Sequence, residues 1–194
     1  MYPVVKRFFD LVCSLLGIIL LSPLLLILAL LIKCTSPGPV LFRQKRVGKN
    51  KTYFEILKFR SMRIDAPHDV PTHLLQNAQS AITPIGHFLR KTSLDELPQL
   101  FNILLGQMSV IGPRPALWNQ YDLIAERDRY GVNRLTPGLT GWAQVNGRDE
   151  LPIPVKAKLD GYYAEHLSFS LDLKIFFKTI ANVFSGAGIV EGKH

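Results

Sequence analysis

Leu11 to Ile32 reads LVCSLLGIILLSPLLLILALLI, and none of these residues is charged. A helix needs about 20 predominantly apolar residues to cross the hydrocarbon of a bilayer, and this stretch is long enough. A cleaved signal peptide fits less well. Its apolar region runs about 7–15 residues and ends at a small-residue cleavage site, whereas Lys33-Cys34-Thr35 follows here. Ser22-Pro23 stands near the middle. Proline has no N–H and clashes with the preceding turn, so the helix is expected to kink there. The carbonyl it frees needs a partner in lipid, and the neighbouring serine hydroxyl can supply one. Two topologies stay open on these residues: a kinked spanning helix, or a re-entrant helix that enters and leaves by one face. Lys6 and Arg7 precede the stretch and Lys33 follows it, so the positive-inside rule draws both flanks to the cytoplasm and leans toward the second.

The chain has 194 residues, the size of one ordinary domain. Lys and Arg together number 23 against 15 acids, a net charge of +8, which favours an anionic partner: nucleic acid, a lipid surface or a phosphorylated substrate. The two cysteines, Cys13 and Cys34, suggest no disulfide framework and suit a reducing compartment. Ser36-Pro37-Gly38-Pro39 is a turn cluster that separates the apolar stretch from the rest. The division expected is 1–35, a membrane-embedded helix, and 36–194, a cytoplasmic domain.

Val40-Leu41-Phe42 and Thr52 to Leu57 read as short strands, with Gly48-Lys49-Asn50-Lys51 as the turn of a hairpin. This segment is strongly basic. Its charges can sit on anionic headgroups, at about 1 kcal/mol each near the surface, or bind substrate phosphates. Lys58, at the end of an apolar strand, is the best placed to point into a site. Asp65 to Ala81 is polar and broken by Pro67 and Pro71, and reads as a lid or binding loop with a short helix over His73–Asn77.

The chemistry concentrates around Arg90-Lys91-Thr92-Ser93-Leu94-Asp95-Glu96-Leu97-Pro98-Gln99. Ser93-x-x-Glu96 has the form of a capping box that opens a helix, and on that reading Glu96 turns back to its own backbone. Two cations and two carboxylates also converge at this helix start, and a helix N-terminus suits phosphate. Adjacent carboxylates can share a hard divalent cation with phosphate oxygens, and a carboxylate can attack phosphorus to form an acyl phosphate. Gly112-Pro113-Arg114-Pro115 holds an arginine between two ring-locked residues and would aim a guanidinium fork at a phosphate. Thr136 to Arg148 carries glycines that permit close backbone approach to a ligand. There is no Walker or G-x-G-x-x-G pattern.

Four stretches in the expected order, Lys58-Phe59-Arg60-Ser61-Met62, Arg90 to Gln99, Val110 to Pro115 and Thr136 to Arg148, resemble the bacterial sugar transferases, the small monotopic phosphoglycosyl transferases. The resemblance covers nearly the whole chain. It implies an α+β, mostly helical single domain at the membrane surface, with a small β-hairpin and a re-entrant helix broken at Ser22 and Pro23. It implies a minimal catalytic domain without the extra spanning helices of longer members. The expected reaction moves a sugar 1-phosphate from a UDP-sugar, with an N-acetylated amino sugar favoured, to undecaprenyl phosphate, and releases UMP. Asp95 would be the nucleophile. Glu96 would help hold Mg²⁺ (or Mn²⁺) with Asp95, or handle the acceptor's proton. Lys58, Arg90, Arg114 and Arg148 would bind phosphates. The expected partners are the UDP-sugar, undecaprenyl phosphate and membrane lipid, with no nucleic acid and with oligomerisation open. The expected location is the cytoplasmic face of the inner membrane, in polysaccharide or capsule assembly.

Two other readings compete. A non-catalytic adaptor on anionic lipid or nucleic acid explains the charge and the apolar stretch, but not Asp95-Glu96 beside Arg90 or the Pro-Arg-Pro loop. A polyprenol kinase or phosphatase lacks a supporting signature. Near the C-terminus, Phe169 to Phe184 sets Phe169, Leu173, Phe176, Phe177, Ile180 and Phe184 along one helical face. Packing into the core is the first expectation for such a face. A helix lying in the membrane interface, with Lys174 and Lys178 beside aromatics, is the alternative.

Overall fold

The computed structural model describes residues 2–70, 78–147 and 151–185. It opens with one long helix, α1 (Tyr2–Thr35), of 34 residues with Pro23 inside. The chain stays helical through Pro23. The proline leaves the carbonyl of Ile19 without its usual donor, four residues back, and the Ser22 hydroxyl donates to that carbonyl at 2.8 Å. The break expected at Ser22-Pro23 does not interrupt the helix, because the hydrogen-bond ladder is repaired locally.

Both ends of α1 pack on the same globular body. Near its start, Asp172 accepts hydrogen bonds from Lys6 Nζ at 2.6 Å, from the Tyr2 hydroxyl at 2.5 Å and from the Tyr163 hydroxyl at 2.7 Å. Arg7 donates to the carbonyls of Ile103 and Leu104, the end of a helix where unpaired carbonyls favour a cation. Asp10 is buried and accepts from Val110 N and Ser109 Oγ. Near the other end, Leu28 and Ile32 form a core with Phe59 and Leu89. Between these anchors Leu15, Leu16, Ile19, Leu20, Leu26, Ile27 and Leu30 are exposed, an apolar surface with no protein cover.

Beyond the turn, β1 (Leu41–Val47) and β2 (Tyr53–Phe59) form the expected antiparallel hairpin, Leu41 opposite Phe59 and Val47 opposite Tyr53, closed by a 3-10 turn at Lys49–Lys51. Both strands run longer than their apolar cores suggest, because β1 continues through Arg43, Gln44, Lys45 and Arg46. Helices α2 (Ala78–Ala81), α3 (Pro84–Lys91) and α4 (Gln99–Leu104) follow, with a 3-10 turn at Leu94–Glu96 between the last two. A second sheet pairs β3 (Ser109–Ile111) with β4 (Gly138–Thr140) in parallel, a pairing absent from the sequence expectation. Helices α5 (Tyr121–Asp128), α6 (Trp142–Val145), α7 (Ile153–Glu165) and α8 (Phe169–Ser185) complete a small, mostly helical α+β domain. The helix expected over His73–Asn77 lies outside the described residues.

The face of α8 read from its phenylalanines is not in the core. Phe169, Leu173, Phe176, Phe177 and Ile180 are all exposed, and the helix packs instead through Ile175, Leu171 and Asp172. The first expectation for this helix is therefore corrected. Its aromatics outnumber what the core takes, because Ile175 and Leu171 already fill the contact with Ile111, Val145 and Tyr163. Phe9 of α1 lies 5.9 Å from Phe169, so the exposed faces of α1 and α8 adjoin.

Candidate active site

Lys58 is the penultimate residue of β2, and the packing of α4 fixes what faces it. Asn102 of α4 accepts from Leu57 N at 2.9 Å and donates to the Glu55 carbonyl at 2.8 Å, so its amide completes the open edge of β2. That docking sets the turn Leu94–Glu96, which immediately precedes α4, beside the end of β2. Glu96 Oε1 accepts from Lys58 Nζ at 2.7 Å and from Arg114 Nη2 at 2.8 Å. The expected capping box does not form. Ser93 has φ +57°, the left-handed region, and its hydroxyl caps nothing; a capping residue needs extended backbone there. Glu96 turns to two cations instead of to its own helix end. The acidic pair also sits in a single 3-10 turn and not at the opening of a long helix.

Arg114 is held by its own backbone. Arg127, in a two-point ion pair with Asp160 at 2.6 and 2.9 Å, donates to the Arg114 carbonyl at 2.9 Å, and Arg46 donates to the Pro115 carbonyl at 3.0 Å. Close backbone packing supports the loop from below. A Cβ on Gly138 would stand 2.1 Å from Gly112 N, and one on Gly141 2.1 Å from the Gly112 carbonyl oxygen. The glycines of the Thr136–Gly147 stretch therefore serve protein-to-protein approach, joining β4 to the Pro-Arg-Pro loop.

Asp95 differs from its neighbour. It is 8% exposed, and it accepts no hydrogen bond from any described residue. It lines a cavity of about 960 Å³ shared with Lys58, Arg60 and Arg90. Burial pushes its carboxyl above the ordinary range; Lys58, Arg90 and Arg114 oppose that and Glu96 adds to it. For Glu96, burial alone would also raise the value, but Arg114 and Lys58 together outweigh it and hold the carboxyl well below the usual range. Two adjacent carboxylates thus have opposite characters: one locked as an anion between cations, the other facing open space.

The structure brings Lys58, Arg90, Asp95, Glu96 and Arg114 together. Arg148 lies outside the described residues. Ser22 and Pro23 belong to α1 and do not line the cavity. Arg46, Asn102, Arg127 and Asp160, which set this geometry, carry no local sequence signal, since each acts across a long chain separation. Among the described residues no group of three or more His, Cys, Asp or Glu gathers. A divalent ion here would rest on Asp95 and on phosphate oxygens of a ligand, as Mg²⁺ commonly does.

A long apolar helix joined to a cationic cavity, with a buried carboxylate that has no hydrogen-bond donor among the described residues, suits the handling of phosphoryl groups. The sequence model of the bacterial sugar transferase family matches residues 1–186, and the chain belongs to that family. Among its relatives is the UDP-N-acetylgalactosamine-undecaprenyl-phosphate N-acetylgalactosaminephosphotransferase of Aeromonas hydrophila, 40% identical over 192 residues, covering 96% of this chain and 45% of the relative. Another is the UDP-glucose:undecaprenyl-phosphate glucose-1-phosphate transferase of Escherichia coli (strain K12), 41% identical over 187 residues, covering 92% of this chain and 40% of the relative. The chain spans less than half the length of these two. It matches the exopolysaccharide production protein PSS of Rhizobium leguminosarum bv. phaseoli at 42% identity over 191 residues, 92% of this chain and 94% of the relative.

Proposed function

We propose that this protein transfers a sugar 1-phosphate from a UDP-sugar to undecaprenyl phosphate in two steps, at the cytoplasmic face of the inner membrane, as a membrane step of polysaccharide assembly. The observation that carries the reading is Asp95: a buried carboxylate without a described hydrogen-bond donor, at a cavity that Lys58, Arg60 and Arg90 also line, with the charge of Arg114 felt from beside Glu96. An Asp95 oxygen attacks the β-phosphorus. The bond from that phosphorus to the bridging oxygen breaks, and its electrons leave with UMP. The sugar phosphate remains on Asp95 as an acyl phosphate. An oxygen of undecaprenyl phosphate then attacks the same phosphorus, displaces the Asp95 carboxylate, and leaves as undecaprenyl diphosphate sugar.

Lys58 and Arg114 supply positive charge for the phosphates, and Glu96 fixes both at one oxygen. This makes Glu96 an anchor for cations. Held ionised, it is a poor proton donor, and the acceptor phosphate is largely deprotonated at neutral pH with its second pKa near about 6. Asp95 would hold Mg²⁺ together with substrate phosphates, and such an ion would neutralise charge on the diphosphate.

The anchors of α1 support a re-entrant topology. At about 1.5 Å per residue the helix is about 50 Å along its path, longer than the roughly 30 Å of hydrocarbon. Yet Lys6 and Asp10 at one end and Ile32 at the other contact the same domain. A re-entrant course satisfies both anchors, and the exposed faces of α1 and α8 meet lipid.

An N-acetylated amino sugar is the proposed donor group. The Aeromonas hydrophila relative is named for such a sugar and the Escherichia coli relative for glucose. The purified chain, given UDP-N-acetylgalactosamine, UDP-N-acetylglucosamine and UDP-glucose in turn with undecaprenyl phosphate, is expected to release UMP and form a lipid diphosphate sugar with an N-acetylated donor. No UMP from any UDP-sugar would contradict the function, and UMP from UDP-glucose alone would contradict the donor class.

A further inference from the structure

Two kinds of residue line the cavity that holds Asp95. Lys58, Arg60 and Arg90 are cationic. The segment after β2 adds a wall, where Ile64, Pro67 and Val70 stand with Arg63 and His68 and remain solvent-exposed, Ile64 at 67%. An exposed isoleucine and valine gain most from a ligand that is itself hydrocarbon.

The wall is built. At its base Arg63 N donates to the Ala81 carbonyl at 2.8 Å. Near its far end two side chains hold its backbone. Gln44 of β1, buried, donates from Nε2 to the His68 carbonyl at 2.5 Å, and Asn119 donates to the Asp69 carbonyl at 3.0 Å. Arg46 donates to Gln44 Oε1 at 2.5 Å and to the Pro115 carbonyl, so the wall and the Arg114 loop share one strut.

The wall also lies where the apolar helix ends. Gly38, Pro39 and Val40, the turn that follows α1, line the same cavity. Arg60 fixes that turn by donating to the Ser36 and Pro37 carbonyls at 2.8 and 2.7 Å. Gly38 sits at φ +114°, and a Cβ there would stand 2.2 Å from Arg60 Nη1. One cavity is therefore lined by the turn that follows the apolar helix, by the apolar residues of the wall, and by Asp95 with Lys58 and Arg90, whose charges act on its carboxylate.

We propose that the wall of Ile64, Pro67 and Val70, held by Gln44 and Asn119, receives the first isoprene units of the acceptor lipid, with its phosphate at the Lys58–Arg90 end. The proposal rests on the two-step reading above. The amphiphile matches the cavity in charge and polarity: an anionic head against cations, a hydrocarbon tail against an apolar wall continuous with the bilayer. The nucleotide sugar then uses the polar side, and the wall acts in the second step alone.

The test separates the half-reactions in the full-length chain. Ile64→Glu is exposed, so its folding is not at risk. UMP release from the UDP-sugar without acceptor is expected to be unchanged. Transfer from the preloaded enzyme is then measured with dimethylallyl, farnesyl and undecaprenyl phosphate. Loss of an apolar contact and insertion of a charge should raise KM for the long acceptors by about tenfold or more. Dimethylallyl phosphate, with a single isoprene unit, covers the least of the wall and should show the smallest change. Val70→Glu should repeat the pattern, and Ile64→Leu should restore it. An equal penalty at every chain length, or none, would overturn the proposal. Loss of UMP release in Ile64→Glu would assign the wall to the donor and overturn it too. Absence of UMP release in the unaltered chain would instead refute the underlying two-step reading.

Discussion

Glu96→Gln removes one charge from a site where three side chains converge. Glu96 is 13% exposed and accepts from Lys58, 16% exposed, and from Arg114, 30% exposed. Breaking a buried pair by deleting one partner costs about 3–5 kcal/mol. Arg114 regains some hydration and Asp95 stays close enough to offset part of the stranded charge, so about 2–3 kcal/mol is expected. For a chain of this size that is a fall in Tm of about 5–10 °C. The pH dependence has a definite sign. Glu96 is depressed in the fold by Arg114 and Lys58 acting against burial, so its stabilisation is present above the unfolded value of about 4.3 and disappears as pH falls through the folded one. The gap between the two proteins should therefore be full at pH 7 and narrow in strong acid. Asp95 gives a second readout. Glu96 helps raise it, so the substitution should move the acid limb of UMP release to lower pH. Thermal unfolding and single-turnover UMP release against pH measure both. An unchanged Tm together with an unmoved limb would refute the view that Glu96 anchors the two cations.

In the unaltered protein, UMP release should fail on acidification above the ordinary aspartate range of about 3.9, because burial, with Glu96, raises Asp95; a limb at or below that value contradicts the proposed role of Asp95. Ser22→Ala leaves the Ile19 carbonyl without a donor in lipid and should cost about 1–3 kcal/mol, read as a lowered Tm, while Ser22→Thr should not. Gly138→Ala drives a Cβ into Gly112 N, so Arg114 should lose its alignment and UMP release should drop about tenfold or more with the chain still folded; unchanged turnover would count against the loop's role. With Cys13 and Cys34 replaced by serine, cysteines at Val4 and Asn50 should be equally protected from an impermeant thiol reagent in intact cells, and labelling at Val4 alone would mean a spanning helix.

Much of this was legible in the chain, and for local reasons. The apolar stretch, the Ser22-Pro23 repair and the basic hairpin each depend on neighbours in sequence. Asp95, Glu96 and Arg114 stood out because carboxylates, cations and ring-locked residues sit in short motifs. What stayed hidden acts across distance. The Asn102 clamp on β2 and the Arg127–Asp160 pair behind Arg114 join segments 33 residues apart or more. The capping-box reading of Ser93 failed because the nearest partners of Glu96 are Lys58 and Arg114, which no window around Ser93 contains. The α8 face misled because periodicity reports that a face is apolar and not what covers it.

The claim at the centre is that Asp95 bonds to phosphorus. The purified chain, mixed with its UDP-sugar and no acceptor lipid, should release UMP in an amount near one per protein, and the peptide containing Asp95 should gain the mass of a sugar phosphate. Asp95→Asn should give neither. UMP appearing only after undecaprenyl phosphate is added, with the Asp95 peptide unmodified throughout, would mean direct transfer between the two substrates and would contradict the covalent step.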